Sequence, residues 1–314
     1  DAPIIFLCGH MDTVSGFIPV KMQGNLLYGR GAVDAKASLA AMIVAASIFE
    51  NERDAKIVVA AVVDEEGNSR GIRHLLKEGI NADYAIFGEP SGVEKITIGY
   101  KGVLRLEILC ETNPGPGHSS ANHLYTNAIE RAFELWQKIR NIHFEVEKLE
   151  SPFYSLSSSV TRIEGGQDYS TIPSKCILKI DMRVPPKLTT SQVLAEVNKV
   201  IEQFKKDNAQ VNVKTKVEEA IEAFESNPKS ILVRALFHAI REVRGKTPML
   251  VRKTGTGDMN LLGRAMNIPT VTYGPGDSSL CHTENEHIDI KEYLDSIEVY
   301  RRAIEWIIKL HCRN

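Results

Sequence analysis

Unbroken apolar runs set between helical stretches, giving way in mid-chain to strands with one polar face, constrain this chain more than any single residue. Lys56–Val63 is a continuous β-branched run and Tyr84–Phe87 a second apolar run; the alanine-rich segment Ala35–Phe49 repeats its apolar positions at spacings of three and four. Runs without polar alternation are buried on both faces, as in largely parallel sheets covered by helices. Within Ile96–Glu111 the pattern changes, and Leu104, Leu106 and Ile108 alternate with Val103, Arg105 and Glu107, as in a sheet with one wet face. A helix around Tyr125–Ile139, strands near Ser157–Glu164 and Cys176–Arg183, a helix at Ser191–Lys205 and a strand at Gln210–Val217 follow. Together they read strand–helix–strand–strand–helix–strand, the split βαβ order of a small α+β module. After Asn227-Pro228 the first style resumes, with a helix to Arg244, strands near Met249–Val251 and Thr270–Tyr273, and an amphipathic helix from Lys291 to Leu310. The expected fold is therefore α/β: one domain with a mostly parallel sheet between helices, 1–94 and 218–314, interrupted by an inserted α+β domain over 95–217. Its first strand, Pro3–Leu7, opens the chain so abruptly that a further segment is expected before it.

Composition narrows the function classes. Lys and Arg number 38 against 40 Asp and Glu, a formal net charge of −2, so no global basic field for nucleic acid exists. Apolar stretches are short or broken, well under the roughly 20 residues that cross a bilayer, so no membrane partner is expected. No basic-then-apolar leader opens the chain, and the five cysteines are scattered without a CxxC, which together suggest a reduced, cytoplasmic protein.

Histidines and carboxylates cluster at strand ends. His10 and Asp12 follow the first strand in GHMDTV, Asp34 lies in the glycine-rich turn GRGAVDAK, Glu65 and Glu66 end the Lys56–Asp64 strand, Glu89 follows Tyr84–Phe87, and His282 comes shortly after the last strand. Residues two apart on a strand point the same way, so Asp12 is expected behind His10, fixing its tautomer. In open α/β sheets, sites form beyond the carboxyl ends of the strands. Any one of these residues alone is as well explained by a polar pair, a helix cap or a turn; five segments converging on one sheet edge point to metal. Imidazole and oxygen ligands without thiolate suit zinc, cobalt or manganese, and the set suffices for two ions with one bridging carboxylate. Adjacent Glu65 and Glu66 cannot point identically, which splits them into one ligand and one base.

The ordered set GHMDTV, YGRGAVDAK, DEEGNSRG, GEPSG and HTENE resembles the co-catalytic zinc peptidases and deacylases, a family that includes acetylornithine deacetylase, succinyl-diaminopimelate desuccinylase and aminoacylase. By that resemblance His10 and Glu89 hold one zinc, Glu66 and His282 the other, and Asp34 bridges both. Asp12 orients His10, and Glu65 is the general base. The inserted module is the family's lid and dimerisation domain, and His118, in GPGHSSANHLYTNAI, reaches the site of the partner subunit in a homodimer to stabilise the oxyanion. Within the family, RKTGTGDMN and YGPGDSSLCHTENE resemble hydrolases of the LysK type. These release lysine or ornithine from the C-terminal glutamate of a small acidic amino-group carrier protein, the last step of lysine or arginine biosynthesis. Arg183, Arg252, Lys253 and the Gly255–Gly257 loop are then expected to bind substrate carboxylate, and Lys101, Arg105, Arg162 and Arg252 to form a basic rim for the carrier. A small-molecule N-acyl amino acid deacylase or a dipeptidase is the alternative within the same chemistry, and a non-catalytic metal-bound scaffold the alternative outside it.

Overall fold

The computed structural model describes residues 2–144 and 151–313. The chain divides into two compact units. One takes the residues up to Tyr100, Phe224–Lys253 and those from Gly257 onwards, and the other takes Lys101–Ala223 with Thr254–Thr256. In chain order the first unit supplies β1 (Ile4–His10), β2 (Lys21–Gln23), β3 (Leu26–Tyr28), α1 (Lys36–Ser47), β4 (Lys56–Val62), α2 (Arg70–Glu78), β5 (Tyr84–Phe87) and β6 (Lys95–Tyr100). The second unit follows with β7 (Gly102–Thr112), β8 (Gly117–His118), α3 (Ala128–Arg140), β9 (Ser157–Gly165), β10 (Thr171–Ile172), β11 (Lys175–Val184), α4 (Thr190–Asp207) and β12 (Val211–Ile221). The first then resumes with β13 (Phe224–Glu225), α5 (Ile231–Arg244), β14 (Met249–Lys253), α6 (Asp258–Met266), β15 (Thr270–Thr272), β16 (His287–Asp289) and α7 (Ile290–His311).

The first unit is built on a sheet in the order β13-β6-β15-β5-β1-β4, with β14 also beside β6. Pairs β1/β4, β1/β5, β15/β5 and β14/β6 are parallel, and β6 runs antiparallel to β13 and β15. Both faces are covered. Ile5 and Leu7 pack with Met42 of α1, Leu236 and Ile240 of α5 and Ile304 of α7, whereas Phe6 and Cys8 face Ile72 of α2 and Leu262 of α6. That two-sided burial is why these strands read as continuous apolar runs. The second unit is a four-stranded antiparallel sheet, β12-β7-β11-β9. Leu104, Leu106, Ile108, Leu178 and Ile180 meet Leu135 of α3 and Val197 and Phe204 of α4 on one face, and Arg105, Glu107 and Lys179 line the other.

Three differences from the sequence reading have physical causes. β6 belongs to the larger sheet and not to the inserted module, because Ile96 and Ile98 are both fully buried and its partners are β13, β14 and β15. β1 continues past Leu7 to His10, since Cys8, Gly9 and His10 keep their parallel pairing with Ala60, Ala61 and Val62. Helices α2 and α6 were not anticipated: α2 buries only Ile72, and α6 carries Gly263 against the Phe224 ring.

Glycine sets the fit of α2 behind β4. A Cβ on Gly71 would stand 2.6 Å from the Val63 nitrogen and 2.8 Å from its oxygen, and the Gly71 N–H donates to that same oxygen at 3.0 Å. Backbone cannot yield cheaply there. Gly71→Ala is expected to cost about 1–3 kcal/mol in urea unfolding. Gly115→Ala, with open space around it, should stay within about 0.5 kcal/mol; equal losses would show that the close approach does not matter.

Candidate metal centre

Three adjacent parallel strands, β5, β1 and β4, end side by side, and their carboxyl ends bring the polar residues together. His10 closes β1 opposite Val62, and the next residue, Met11, donates its N–H to the Val62 oxygen at 3.0 Å. Beyond β4 the chain folds into a tight turn around Asp64, whose φ of 63° is left-handed. Asp64 holds that shape by accepting N–H bonds from Ser69 at 2.7 Å, Gly67 at 3.3 Å and Asn68 at 3.2 Å, and the Arg70 guanidinium at 2.7 Å. The turn presents Glu65 and Glu66. Glu89 follows β5, Asp34 precedes α1, and His282 sits between β15 and β16, itself at φ 63°.

Asp34 is the centre of the cluster. Its Oδ1 lies 3.2 Å from His10 Nε2 and its Oδ2 3.3 Å from His282 Nε2. Glu89 Oε1 is 3.7 Å from the His10 nitrogen, and Glu66 Oε2 is 3.0 Å from that of His282. One carboxylate thus turns a different oxygen toward each of two imidazole–carboxylate pairs. Ligand bonds of about 2.0–2.1 Å in a tetrahedron put neighbouring donor atoms roughly 3.3 Å apart, and the observed spacings bracket that value. Donor atoms of His10, Asp34 and Glu66, and again of His10, Glu65 and Glu89, all lie within 4.8 Å of one another.

His10 is 1% exposed, and its Nδ1 is 3.1 Å from the Asp12 backbone oxygen. A carbonyl can only accept, so the proton is assigned to Nδ1 and Nε2 keeps its lone pair for a metal. The expected side-chain contact is longer: Asp12 Oδ1 stands 3.6 Å from Nδ1, while Oδ2 accepts the Glu66 N–H at 3.2 Å. The strand has ended by then, so its alternation no longer applies.

The electrostatics fit a divalent cation. Burial, then the charge of Asp258, pushes Glu65 up to about 8. Burial and Glu65 push Glu89 well above the usual carboxylate range, and burial and Asp34 raise Glu66. Burial alone would lower His10, but the Asp34 hydrogen bond and the charges of Glu89 and Glu65 carry it up to about 10. Asp34 is raised by burial yet ends below its usual value, because His10 bonds to it. So much negative charge in so dry a place is relieved by bound cations.

Two supporting carboxylates escaped the sequence reading. Glu286, 1% exposed, accepts the N–H groups of Val33 at 2.9 Å and Asp34 at 3.1 Å on Oε1, and the Arg30 guanidinium at 2.8 Å on Oε2. It belongs to the same HTENE stretch as His282. Asp258 opens α6 and is 3% exposed, and burial raises it to about 6 against the opposing pull of Ser69.

The expected substrate and carrier contacts fare differently. Arg183 is engaged by Asp181, Nε to Oδ1 at 2.7 Å and Nη2 to Oδ2 at 3.1 Å. Arg252 donates to Glu225 at 2.5 Å. The Gly257 N–H donates to Asn260 Oδ1 at 3.2 Å, so it is not free for a substrate, and a Cβ there would stand 3.3 Å from Glu65 Oε1. Around Gly255 there is open space. His118 Nδ1 accepts the Ser120 N–H at 3.2 Å, which assigns its proton to Nε2. No basic rim forms from the four expected cations. Lys101 is 1% exposed, its ammonium donating to the Pro152 and Ser155 carbonyls. Arg105 pairs with Asp181 and Glu219, and Arg162 with Glu164. Such pairs cancel the field that these cations would offer one at a time.

Residues 6–306 match the model of peptidase family M20/M25/M40. The [LysW]-lysine/[LysW]-ornithine hydrolase of Sulfurisphaera tokodaii is 37% identical over 301 residues, 96% of this chain and 80% of that protein. The protein of the same name from Saccharolobus solfataricus is 34% identical over 302 residues, again 96% and 80%. Among solved structures, aminopeptidase PepT from Bacillus cereus superposes with a TM-score of 0.81 at 21% identity, covering 98% of this chain and 81% of that one. Human carnosine dipeptidase 1 gives 0.73 at 19%, covering 98% and 80%. These two likenesses concern the fold. No helix among the described residues is long and apolar enough to cross a membrane.

Glu286→Ala removes the acceptor of two backbone N–H groups and leaves Arg30 without its carboxylate. It is expected to cost about 3–5 kcal/mol in denaturant unfolding and to lower metal content; a variant as stable as the parent would show that Asp34 does not depend on it. Stripping divalent ions with a chelator should lower the thermal midpoint, and zinc should restore it. Ligand held at a thousand times its dissociation constant stabilises by about 4 kcal/mol, and a midpoint indifferent to chelation would refute the metal centre.

Proposed function

Because the chain belongs to peptidase family M20/M25/M40, we propose that it is a two-metal amide hydrolase that releases lysine or ornithine from the C-terminal glutamate of a LysW-type carrier protein. The names of the relatives at 33–37% identity support the substrate, and the observation that carries the chemistry is Asp34, with one oxygen toward each histidine. His10 and Glu89 would hold one ion, Glu66 and His282 the other, and Asp34 both; zinc suits these donors, with cobalt or manganese as substitutes. A pair of divalent ions supplies Lewis acidity for the scissile carbonyl and acidifies water.

The protein's own residues do the rest. Glu65 belongs to the same donor cluster but is raised by burial and Asp258, which suits it to take a proton from the attacking water and hand it to the departing amine. Asp12 and Glu286 hold His10 and Asp34 in place through backbone groups. The partner subunit's His118, with its proton assigned to Nε2, stabilises the oxyanion. In this reading the second unit is lid and dimerisation module. Its edge strand β9, carrying the half-exposed Ile163, supports an interface between copies. Five unpaired cysteines support a reducing, cytoplasmic setting.

Glu65→Gln is expected to keep two metals per chain and lose about 10²–10⁴ in kcat. Mass spectrometry of the loaded carrier should show the amino acid leaving with wild type and staying with the variant. Faster turnover of acetylornithine than of the loaded carrier would favour the small-molecule deacylase instead, and unchanged turnover by Glu65→Gln would remove Glu65 as base.

A further inference from the structure

One cation lies against the carboxylate cluster without pairing with it. Lys253 ends β14, which runs parallel to β6 with a register shift between Val251 and Arg252. Irregularities of this kind re-aim the side chains beyond them. Arg252 turns to Glu225, whereas Lys253 turns to the end of β5, where its Nζ donates to the Pro90 oxygen at 2.7 Å. That carbonyl belongs to the residue after Glu89. The ammonium also lies 5.8 Å from the centre of the Tyr100 ring. Burial lowers its pKa, while the nearby carboxylates of Glu89 and Asp34 act the other way. Among the described residues it forms no ion pair within 4.0 Å, unlike Arg30, Arg183 and Arg252.

An ammonium has three donors. One is spent on Pro90, and a half-buried cation without a counter-ion is costly to keep. With two metals bound, the carboxylates nearby would be committed to them, and the remaining donors would be open to an anion from outside. We propose that Lys253 binds a substrate carboxylate beside the scissile amide and so restricts the enzyme to amides that carry one. This rests on the reading in the preceding subsection. An amide between a glutamate side chain and the α-amino group of lysine carries two such groups, the glutamate's own α-carboxylate and that of the lysine. Lys253 presents the same charge to either.

The test uses the metal-loaded enzyme and synthetic γ-glutamyl-lysine, joined through the lysine α-amino group, in three forms: both carboxylates free, the glutamate one amidated, and the lysine one amidated. Wild type should lose roughly 10–100-fold in kcat/KM on amidation of the bound carboxylate, in line with a charge-assisted hydrogen bond, and little on amidation of the other. Lys253→Met should lose a similar factor on the free substrate, mainly through KM, and no longer distinguish the two forms; Lys253→Arg should recover part of it. Metal content should remain two per chain. Undiminished discrimination by Lys253→Met, an equal loss on all three substrates, or a loss of metal would each overturn the assignment, the last two marking Lys253 as a support of the ligands. A wild type inert toward all three would instead overturn the hydrolase reading, and this inference with it.

Discussion

Everything in the larger unit converges on keeping one carboxylate between two imidazoles. Asp34 could not be held there by its own rotamer alone, since it stands in a turn ahead of α1 with like charges on several sides. Its neighbours supply the restraint: Glu286 grips the backbone of Val33 and Asp34, Arg30 neutralises Glu286, and the two histidines take one oxygen each. Repulsion among Glu65, Glu66, Glu89 and Asp34 is the reason that a cation belongs in the middle. The sheet contributes by ending three parallel strands at the same level, so that side chains from distant parts of the chain need only short turns to meet.

The six residues at the heart of the cluster were legible because they recur together at strand ends and in a glycine-rich turn, although each alone has an ordinary structural explanation. Fold class was legible for a related reason: two-faced burial erases alternation in β1, β4 and β5, and one-faced burial preserves it in β7 and β11. What escaped notice acts through backbone or through burial. Glu286 works by accepting N–H bonds from residues 252 and 253 positions away, and no local pattern announces that. Asp258 looks like an ordinary helix opener until its burial is known. The arginines misled for the opposite reason. Asp181 stands two residues from Arg183 on the same strand, yet a sequence does not say whether such a pair meets or leaves the cation free.

Conformational restraint at the site is bought locally by loops and not by the sheet. Both segments that supply the second imidazole–carboxylate pair, Glu66 and His282, hold a left-handed residue at φ 63°: Asp64 two residues before Glu66, and His282 itself. Left-handed backbone at residues other than glycine persists where surroundings enforce it, and the four bonds that Asp64 accepts do so for the turn carrying Glu65 and Glu66. Glu65 and Glu66, the proposed base and the proposed ligand, are thereby fixed by one small knot of chain, so that both depend on the same hydrogen bonds.

The strands at the junction between the units are neighbours: Tyr100, the last residue before the excursion, is paired with Phe224, the first after it. Seen from the larger sheet, the whole excursion is therefore no more than an overgrown hairpin loop. Such an attachment lets the guest segment lengthen, shorten or be exchanged during descent without disturbing the register of its host, so the pace at which the two parts diverge need not be shared.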